Sequence, residues 1–208
     1  MSIAVLITLV GPLLLFNPWF ASALQSRHAV ADAFGTNQAE IDRVTGEILV
    51  DLYLDGSFDA ALEPGEPLLD ESERLHMHDV SRLVRILAGV ALVAAAVAVA
   101  SGMALRRSRP RSGLTLLIAG GAIGAVAILL AGTFAVAFEP AFLAFHEIFV
   151  PPGTYLFAEG SNLIALFPEG FWFDAALAAG AAIILAAIVV SLVGLARWRG
   201  GRRSPDPA

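Results

Sequence analysis

The fold class is decided by residues 83–105, which read LVRILAGVALVAAAVAVASGMAL. A run of this length can cross a bilayer, because a helix needs about 20 apolar residues to span the hydrocarbon core. Three similar runs lie at residues 2–24, 113–138 and 174–196. Lipid cannot hydrogen-bond a bare backbone, so such runs form helices rather than open strands. The sequence therefore predicts an all-α membrane protein with four transmembrane helices.

The composition agrees with a chain whose solvent is lipid. Hydrophobic residues occupy 57% of the 208 positions, and the mean hydropathy is +0.74. The chain has no cysteine, which excludes disulfides, thiolate nucleophiles and cysteine-based metal sites. The first run lacks the basic residues that open a signal peptide, and Asn17-Pro18-Trp19 interrupts it near its outer end. We expect it to be a retained helix with an aromatic anchor.

The arginines indicate the orientation in the membrane. Eight of the 13 basic residues follow the second span or the fourth span: Arg106, Arg107, Arg109, Arg111, Arg197, Arg199, Arg202 and Arg203. Because positive residues concentrate on the cytoplasmic side, we expect an inner loop at residues 106–112 and a cytoplasmic tail at residues 197–208. Both termini are then inside. Orientation and contact with phospholipid explain these clusters, so binding to nucleic acid is not expected.

Two segments are predicted to lie outside the cell, at residues 25–80 and 139–173, and they contain all four histidines. Within the first, apolar residues recur at three- and four-residue steps over residues 38–54, which predicts an amphipathic helix. Its apolar stripe consists of Ile41, Val44, Ile48, Leu49 and Leu52. This stripe must be buried, so we expect a packed helical extracytoplasmic cap. Asp55-Gly56 ends the helix, and residues 64–67, PGEP, form a turn.

Asp70 and Glu73 have the spacing of a capping box, and nothing interrupts the predicted helix from there into the second span. At 3.6 residues per turn, Glu73, His76 and Asp79 share one face of this helix. His78 points away from them. A carboxylate three residues from an imidazole can hold its tautomer.

The second outer segment begins with Glu139-Pro140, where the proline suits the first turn of a new helix or kinks the third span. His146 follows among Phe142, Phe145 and Phe149, which predicts an aromatic helix at the membrane surface. Pro151 stops that helix. Earlier in the chain, the third span contains Gly120, Gly121 and Gly124, which are typical of close helix packing.

The same residues would also allow other chemistries. Ser72 lies four residues before His76 and is a candidate nucleophile, although its place favours a first-turn role. The histidines are candidate ligands of zinc or haem, but the chain has no HExxH motif. It also has no GxSxG element and no phosphate-binding glycine loop, so ATP-driven chemistry is not indicated.

Two blocks of sequence resemble a known family. Residues 73–80, ERLHMHDV, resemble the HMxDV element of the bacterial lipoprotein intramolecular transacylases. Residues 145–149, FHEIF, followed by NLIALFP at 162–168 and FW at 171–172, resemble that family's second outer motif. The four-span layout of the family covers essentially the whole chain.

The resemblance implies an enzyme of the bacterial plasma membrane whose active site faces the extracytoplasmic side. Such an enzyme moves the sn-2 acyl chain of a diacylglyceryl-cysteine lipoprotein to the α-amino group of the same cysteine. The resemblance implies no cofactor and no metal, because an ester becomes an amide and the substrate supplies the nucleophile.

The proton transfers of this reaction suit two imidazoles, whose unperturbed pKa is near 6.5. The resemblance gives His76 and His146 as the catalytic pair, with Glu73 and Asp79 as orienting groups. Tyr155 is a supporting residue, standing where the family has a tryptophan. The alternative from another class is a non-catalytic membrane subunit, or a membrane protein that binds metal or haem through outward histidines.

Overall fold

A computed structural model describes residues 2–104, 109–151, 153–158 and 160–202. Within these ranges the secondary structure is helical, apart from a single antiparallel bridge between Glu63 and Glu66. The all-α prediction is therefore confirmed for the described chain. Arg106, Arg107, Arg203 and Asp206 lie outside the described residues, and so does most of the predicted inner loop. The helices are α1 (Ser2–Leu15), α2 (Pro18–Arg27), α3 (Val30–Ala33), α4 (Gln38–Leu54), α5 (Glu71–Ala104), α6 (Arg109–Val136), α7 (Phe138–Phe149), α8 (Asn162–Leu166) and α9 (Glu169–Arg202).

Three of these helices, α5, α6 and α9, are long and apolar enough to cross a membrane. They contain the second, third and fourth predicted spans almost completely. Many of their large apolar side chains are exposed, including Leu92, Leu129 and Leu185. Such exposure is unfavourable in water but expected for helices that face lipid.

The first predicted span, residues 2–24, is divided into α1 and α2. Asn17 separates them with an extended backbone (ψ 122°), and its side chain accepts a hydrogen bond from the Trp19 N–H at 3.0 Å. The physical cause is Pro18, which suits the first position of a helix and disfavours helical geometry in the residue before it. With 14 residues, α1 is about 21 Å long, short of the ~30 Å hydrocarbon core. The fourth span stays a prediction.

Backbone contacts divide the chain into two compact units. The first comprises residues 1–12, 88–132 and 178–208. In it, α6 and α9 pack closely through small residues. A Cβ atom at Gly120 would lie 2.4 Å from the Ser191 hydroxyl oxygen, and one at Gly124 would lie 3.3 Å from Ala187. Gly121 has no such neighbour, so two of the three predicted packing glycines lie at this contact.

The second unit comprises residues 13–87 and 133–177 and contains the predicted cap. Its central element is α4, which has the bounds predicted from periodicity. Asn37 caps the helix by accepting the Glu40 N–H at 3.1 Å, and Asp55 ends it in the left-handed region (φ 57°). The five stripe residues, Ile41, Val44, Ile48, Leu49 and Leu52, are all buried. Burial of each contributes roughly 1.5–3 kcal/mol relative to exposure in water.

A buried polar contact joins the cap to the chain beyond α7. Gln25, which is fully buried in α2, donates its amide to the Thr45 hydroxyl at 2.9 Å and to the Leu166 carbonyl at 3.2 Å. A buried amide without partners would cost about 1–3 kcal/mol, so these bonds fix how α2, α4 and α8 pack. These three helices are therefore packed together, as the buried stripe of α4 requires.

The start of α5 is the predicted capping box. The Asp70 carboxylate accepts the Glu73 N–H at 2.8 Å, and the Glu73 carboxylate accepts the Asp70 N–H at 2.8 Å. Hydrogen bonds from the Glu73 backbone and the Ser72 hydroxyl lower the pKa of the Asp70 carboxyl below its usual value. From this capping box the helix continues without a break to Ala104. His76 is thus carried by the extension of an apolar helix.

Candidate active site

The imidazole rings of His76 and His146 lie together in the second unit. Their centroids are 6.1 Å apart and their planes are inclined by 22°, which is a stacked arrangement. His76 is on the second turn of α5 and is 7% exposed, whereas His146 is half-buried near the end of α7. The packing of two separate helices therefore brings both predicted catalytic histidines to one place.

Aromatic side chains surround the pair. Phe157 contacts His76 edge-on with centroids 5.4 Å apart, and Tyr155 lies 5.3 Å from His146. The ring centroid of Phe142 is closer still, at 4.3 Å from that of His146. The segment that carries Tyr155 and Phe157 also brings the backbone of Thr154 beside the His76 ring. These rings restrict the orientation of both imidazoles and limit the access of water to them.

Hydrogen bonding distinguishes the two imidazoles. Nδ1 of His146 lies 2.8 Å from the Phe142 carbonyl oxygen. A carbonyl only accepts, so this nitrogen carries a hydrogen, and in the neutral ring Nε2 keeps the lone pair. Nδ1 of His76 is buried and has no hydrogen-bond partner among the residues that the structure describes. The His146 ring thus has a nitrogen able to exchange a proton with a bound molecule, whereas Nδ1 of His76 is enclosed by protein atoms.

Asp79 and Glu73, the two predicted orienting groups, differ in their surroundings. Asp79 acts electrostatically on His76 and lies 3.9 Å from Arg82. Glu73 is 1% exposed, and its carboxylate accepts hydrogen bonds from the Asp70 N–H at 2.8 Å, the Leu163 N–H at 2.9 Å and the Ser161 hydroxyl. None of these donors is an imidazole. Glu73 therefore joins α5 to the chain that follows Tyr155 and Phe157.

The remaining candidates on α5, His78 and Ser72, contact other residues. His78 packs edge-on against the buried ring of Phe58, with centroids 5.1 Å apart, and its Nδ1 is 3.6 Å from Asp55. His78 therefore contacts the segment that follows α4. This agrees with the sequence, because a two-residue step on a helix turns His78 away from the face of His76. Ser72 is exposed and donates its hydroxyl to Asp70 at 2.7 Å. This bond confirms the first-turn role of Ser72.

A further ionisable contact was not predicted from the sequence. Nε2 of His28 lies 2.9 Å from Asp174 on α9, and Arg27 lies 3.2 Å from the same carboxylate. The His28 ring occupies the space beside Gly170, where an added Cβ would lie 2.6 Å from the ring. The available signal was Asp174 itself, because an acid at the start of a predicted span usually has a partner.

Among the described residues, no three histidine, aspartate or glutamate side chains are placed to hold a metal ion. The arrangement that they do form is a pair of facing imidazoles with aromatic neighbours. Such a pair can accept and return protons at a bound substrate without a nucleophile of its own.

The fold and this site define a helical membrane protein with a paired-histidine site. A model of the lipoprotein intramolecular transacylase family, Lit, matches residues 1–172. The chain belongs to this family.

One relative by sequence is an uncharacterised protein of Aquifex aeolicus (strain VF5). It is 28% identical over 137 residues, which are 65% of this chain and 61% of that protein. The match thus spans less than two thirds of the relative's length.

Solved structures are similar over almost the whole chain. The membrane-integral lipoprotein intramolecular transacylase Lit of Bacillus cereus has a TM-score of 0.84 at 21% identity, covering 98% of this chain and 94% of that one. A variant of that protein with a histidine replaced by arginine gives 0.77 at 20% identity, with coverage of 98% and 90%. At this level of identity the likeness shows the fold.

Proposed function

We propose that this protein moves the sn-2 acyl chain of a diacylglyceryl-cysteine lipoprotein to the α-amino group of the same cysteine. The product is an N-acyl lipoprotein whose glyceryl group has become a lyso form. The observation that carries the proposal is the stacking of His76 on His146 in a chain of the transacylase family.

The chemistry needs only the substrate and proton transfer. The α-amine nitrogen attacks the sn-2 ester carbon and forms the new C–N bond. The bond from that carbon to the glyceryl oxygen then breaks, the nitrogen loses a proton, and the glyceryl oxygen gains one. An amide is more stable than an ester, so neither ATP nor a separate acyl donor is required.

The two imidazoles are proposed to handle these protons. His146 suits the base, because its bond to the Phe142 carbonyl leaves Nε2 with the lone pair. His76, whose ring faces His146 with centroids 6.1 Å apart, completes the pair that returns a proton to the glyceryl oxygen. Both rings must bracket one reacting centre, and their 6.1 Å separation is compatible with a substrate group beside them.

Three further residues support this pair in the proposal. Asp79 orients and stabilises His76 electrostatically. Tyr155 restricts the His146 ring. Glu73 holds the segment that starts at Ser161, and thereby keeps Tyr155 and Phe157 against the imidazoles.

The proposed setting is the bacterial plasma membrane. Four spans with both termini in the cytoplasm place the histidine pair on the extracytoplasmic side, where a lipoprotein is anchored by its acyl chains. The arginine distribution supports this orientation. The lipoprotein then enters laterally from the outer leaflet, with its ester and α-amine near the headgroups.

The test uses purified protein and a synthetic diacylglyceryl lipopeptide with an isotopically labelled sn-2 chain. Fragmentation by mass spectrometry should find the label on the α-nitrogen. Label that remains on glycerol would overturn the proposal.

The alternative, a non-catalytic subunit that binds metal or haem, is tested on the same preparation. Stoichiometric zinc by metal analysis, or a Soret band by absorbance, together with no transfer of the label, would favour it.

A further inference from the structure

None of the 12 residues of α7 is buried, and the structure describes all of them. The helix carries Phe138, Phe142 and His146 at four-residue spacing, and each of these side chains is half-buried. Residues four apart on a helix are neighbours on its surface. An unburied, apolar helix next to the imidazole pair is therefore available to a molecule bound there.

A row of aromatic rings runs from His146 back along α7 to the end of α6. We name Phe134, Phe138 and Phe142 the aromatic strip. The centroid distances along it are 6.1 Å from Phe134 to Phe138, 5.4 Å from Phe138 to Phe142, and 4.3 Å from Phe142 to His146. Phe173 lies 5.5 Å from Phe138 and Trp172 lies 6.1 Å from Phe142, so the start of α9 flanks the strip.

One end of the strip lies on an apolar membrane helix. Phe134 belongs to the last turn of α6, which is one of the helices able to span a membrane. From Phe138 to His146 the helix rises about 12 Å. The strip thus leads from the imidazole pair to the end of an apolar membrane helix, without a charged side chain among its members.

We propose that the aromatic strip binds the acyl chain that is transferred. This inference rests on the proposed function, because the carbonyl carbon of that chain must lie at His76 and His146. Its first methylene groups then contact Phe142, the next contact Phe138, and the rest of the chain passes Phe134 toward the bilayer. The strip selects substrates by the length of the sn-2 chain.

The expected contribution of the strip is modest for a physical reason. Hydrocarbon tails in the bilayer are as apolar as these rings, so binding gains packing contacts rather than hydrophobic free energy. Loss of one ring should therefore change the preference between chain lengths by roughly 3- to 10-fold. A short sn-2 chain that ends before Phe138 should not respond to its removal.

The first test locates the chain directly. A diacylglyceryl lipopeptide with a diazirine midway along its sn-2 chain is irradiated with the full-length protein in lipid, and the adduct is mapped by mass spectrometry. Label on residues 134–142 supports the inference. Label on residues 145–149, or on a helix that does not flank the strip, overturns it.

The same experiment separates this inference from the proposed function. Label on the strip without any N-acyl product would refute the transacylase activity and leave an acyl-binding surface. N-acyl product with label away from the strip would refute the strip and leave the activity.

A matched pair of variants provides the second test. Phe138→Ala should lower kcat/KM for a palmitoyl sn-2 chain by roughly 3- to 10-fold and leave a butyryl substrate almost unchanged. Phe149→Ala removes an exposed ring at the other end of α7 and should change neither value. Equal losses on both substrates in Phe138→Ala would mean a structural role. A chain-length effect in Phe149→Ala would place the acyl chain in the other direction.

Discussion

His76 and His146 lie ring on ring, with centroids 6.1 Å apart, although α5 and α7 present them from distant parts of the sequence. At this distance both imidazoles can reach one reacting centre. A pair that holds one proton can receive it from an amine and return it to an alkoxide, which is the proton traffic of the proposed reaction.

The first prediction is that the two histidines act as one unit. His76→Ala and His146→Ala should each lower turnover of a diacylglyceryl lipopeptide by roughly 10²- to 10⁴-fold, because each removes a proton-transfer group. The double variant should be little worse than either single variant. Initial rates on purified, folded protein measure this. Multiplicative losses in the double variant would show that the imidazoles work independently.

The second prediction concerns His78, the matched control for His76 on the same helix. His78→Ala should keep turnover within about threefold of the unmutated protein, since its ring packs against Phe58 rather than the pair. The loss should instead appear in thermal unfolding, at about 1 kcal/mol. If His78→Ala is folded and as inactive as His76→Ala, then His78 takes part in the chemistry.

The third prediction concerns Glu73, which accepts three hydrogen bonds while buried. Glu73→Ala leaves the Ser161 hydroxyl and the Leu163 N–H without their acceptor, at a cost of about 1–3 kcal/mol. Because Tyr155 and Phe157 then lose their support, kcat should fall more than KM rises.

Two further variants serve as a comparison and a control for Glu73→Ala. Ser161→Ala should reproduce part of the kcat loss, because it removes one of the same bonds. Glu71→Gln changes an exposed acid in the same turn and should have no effect on either constant. A Glu73→Ala protein with unchanged kcat would show that this anchor does not serve the site.

The fourth prediction is the topology. Reporter fusions at residue 208 should be active only in the cytoplasm, and fusions near residue 60 only outside, because arginines concentrate at the proposed inner ends. The result depends on whether α1 together with the start of α2 crosses the bilayer. A C-terminal reporter that is active only outside the cell would reverse the orientation and move the histidine pair to the cytoplasmic side.

Local patterns made much of the fold predictable. The bounds of α4 follow from the spacing of Ile41, Val44 and Ile48, since a stripe of this kind must be buried. The start of α5 was predictable from Asp70 and Glu73, because their three-residue spacing is that of a capping box. Pro18 also indicates a break in the first span. Hydropathy, however, measures only how apolar a run is and not whether one helix can continue through it. The first span was for that reason predicted as one helix.

Contacts between distant residues were not predictable from the sequence. Glu73 is bonded to Ser161 and Leu163 rather than to an imidazole, because tertiary packing brings α8 to the start of α5. His28 and Asp174 meet for a similar reason. The proximity of His76 and His146 is the exception, because the family resemblance implied that they act as a pair, and the structure stacks their rings. Their catalytic roles stay predictions.

The most direct test of the central claim is made in a bacterium whose lipoproteins normally keep two glyceryl-linked acyl chains and a free α-amine. The full-length protein is expressed there, and the N-terminal lipopeptide of an abundant lipoprotein is read by mass spectrometry. The unmutated protein should produce an N-acyl lipopeptide with one glyceryl-linked chain, and the His76→Ala, His146→Ala double variant, present at the same level, should leave both chains on glycerol. An unchanged diacylglyceryl lipopeptide with the unmutated protein, or full conversion by the double variant, would contradict the account.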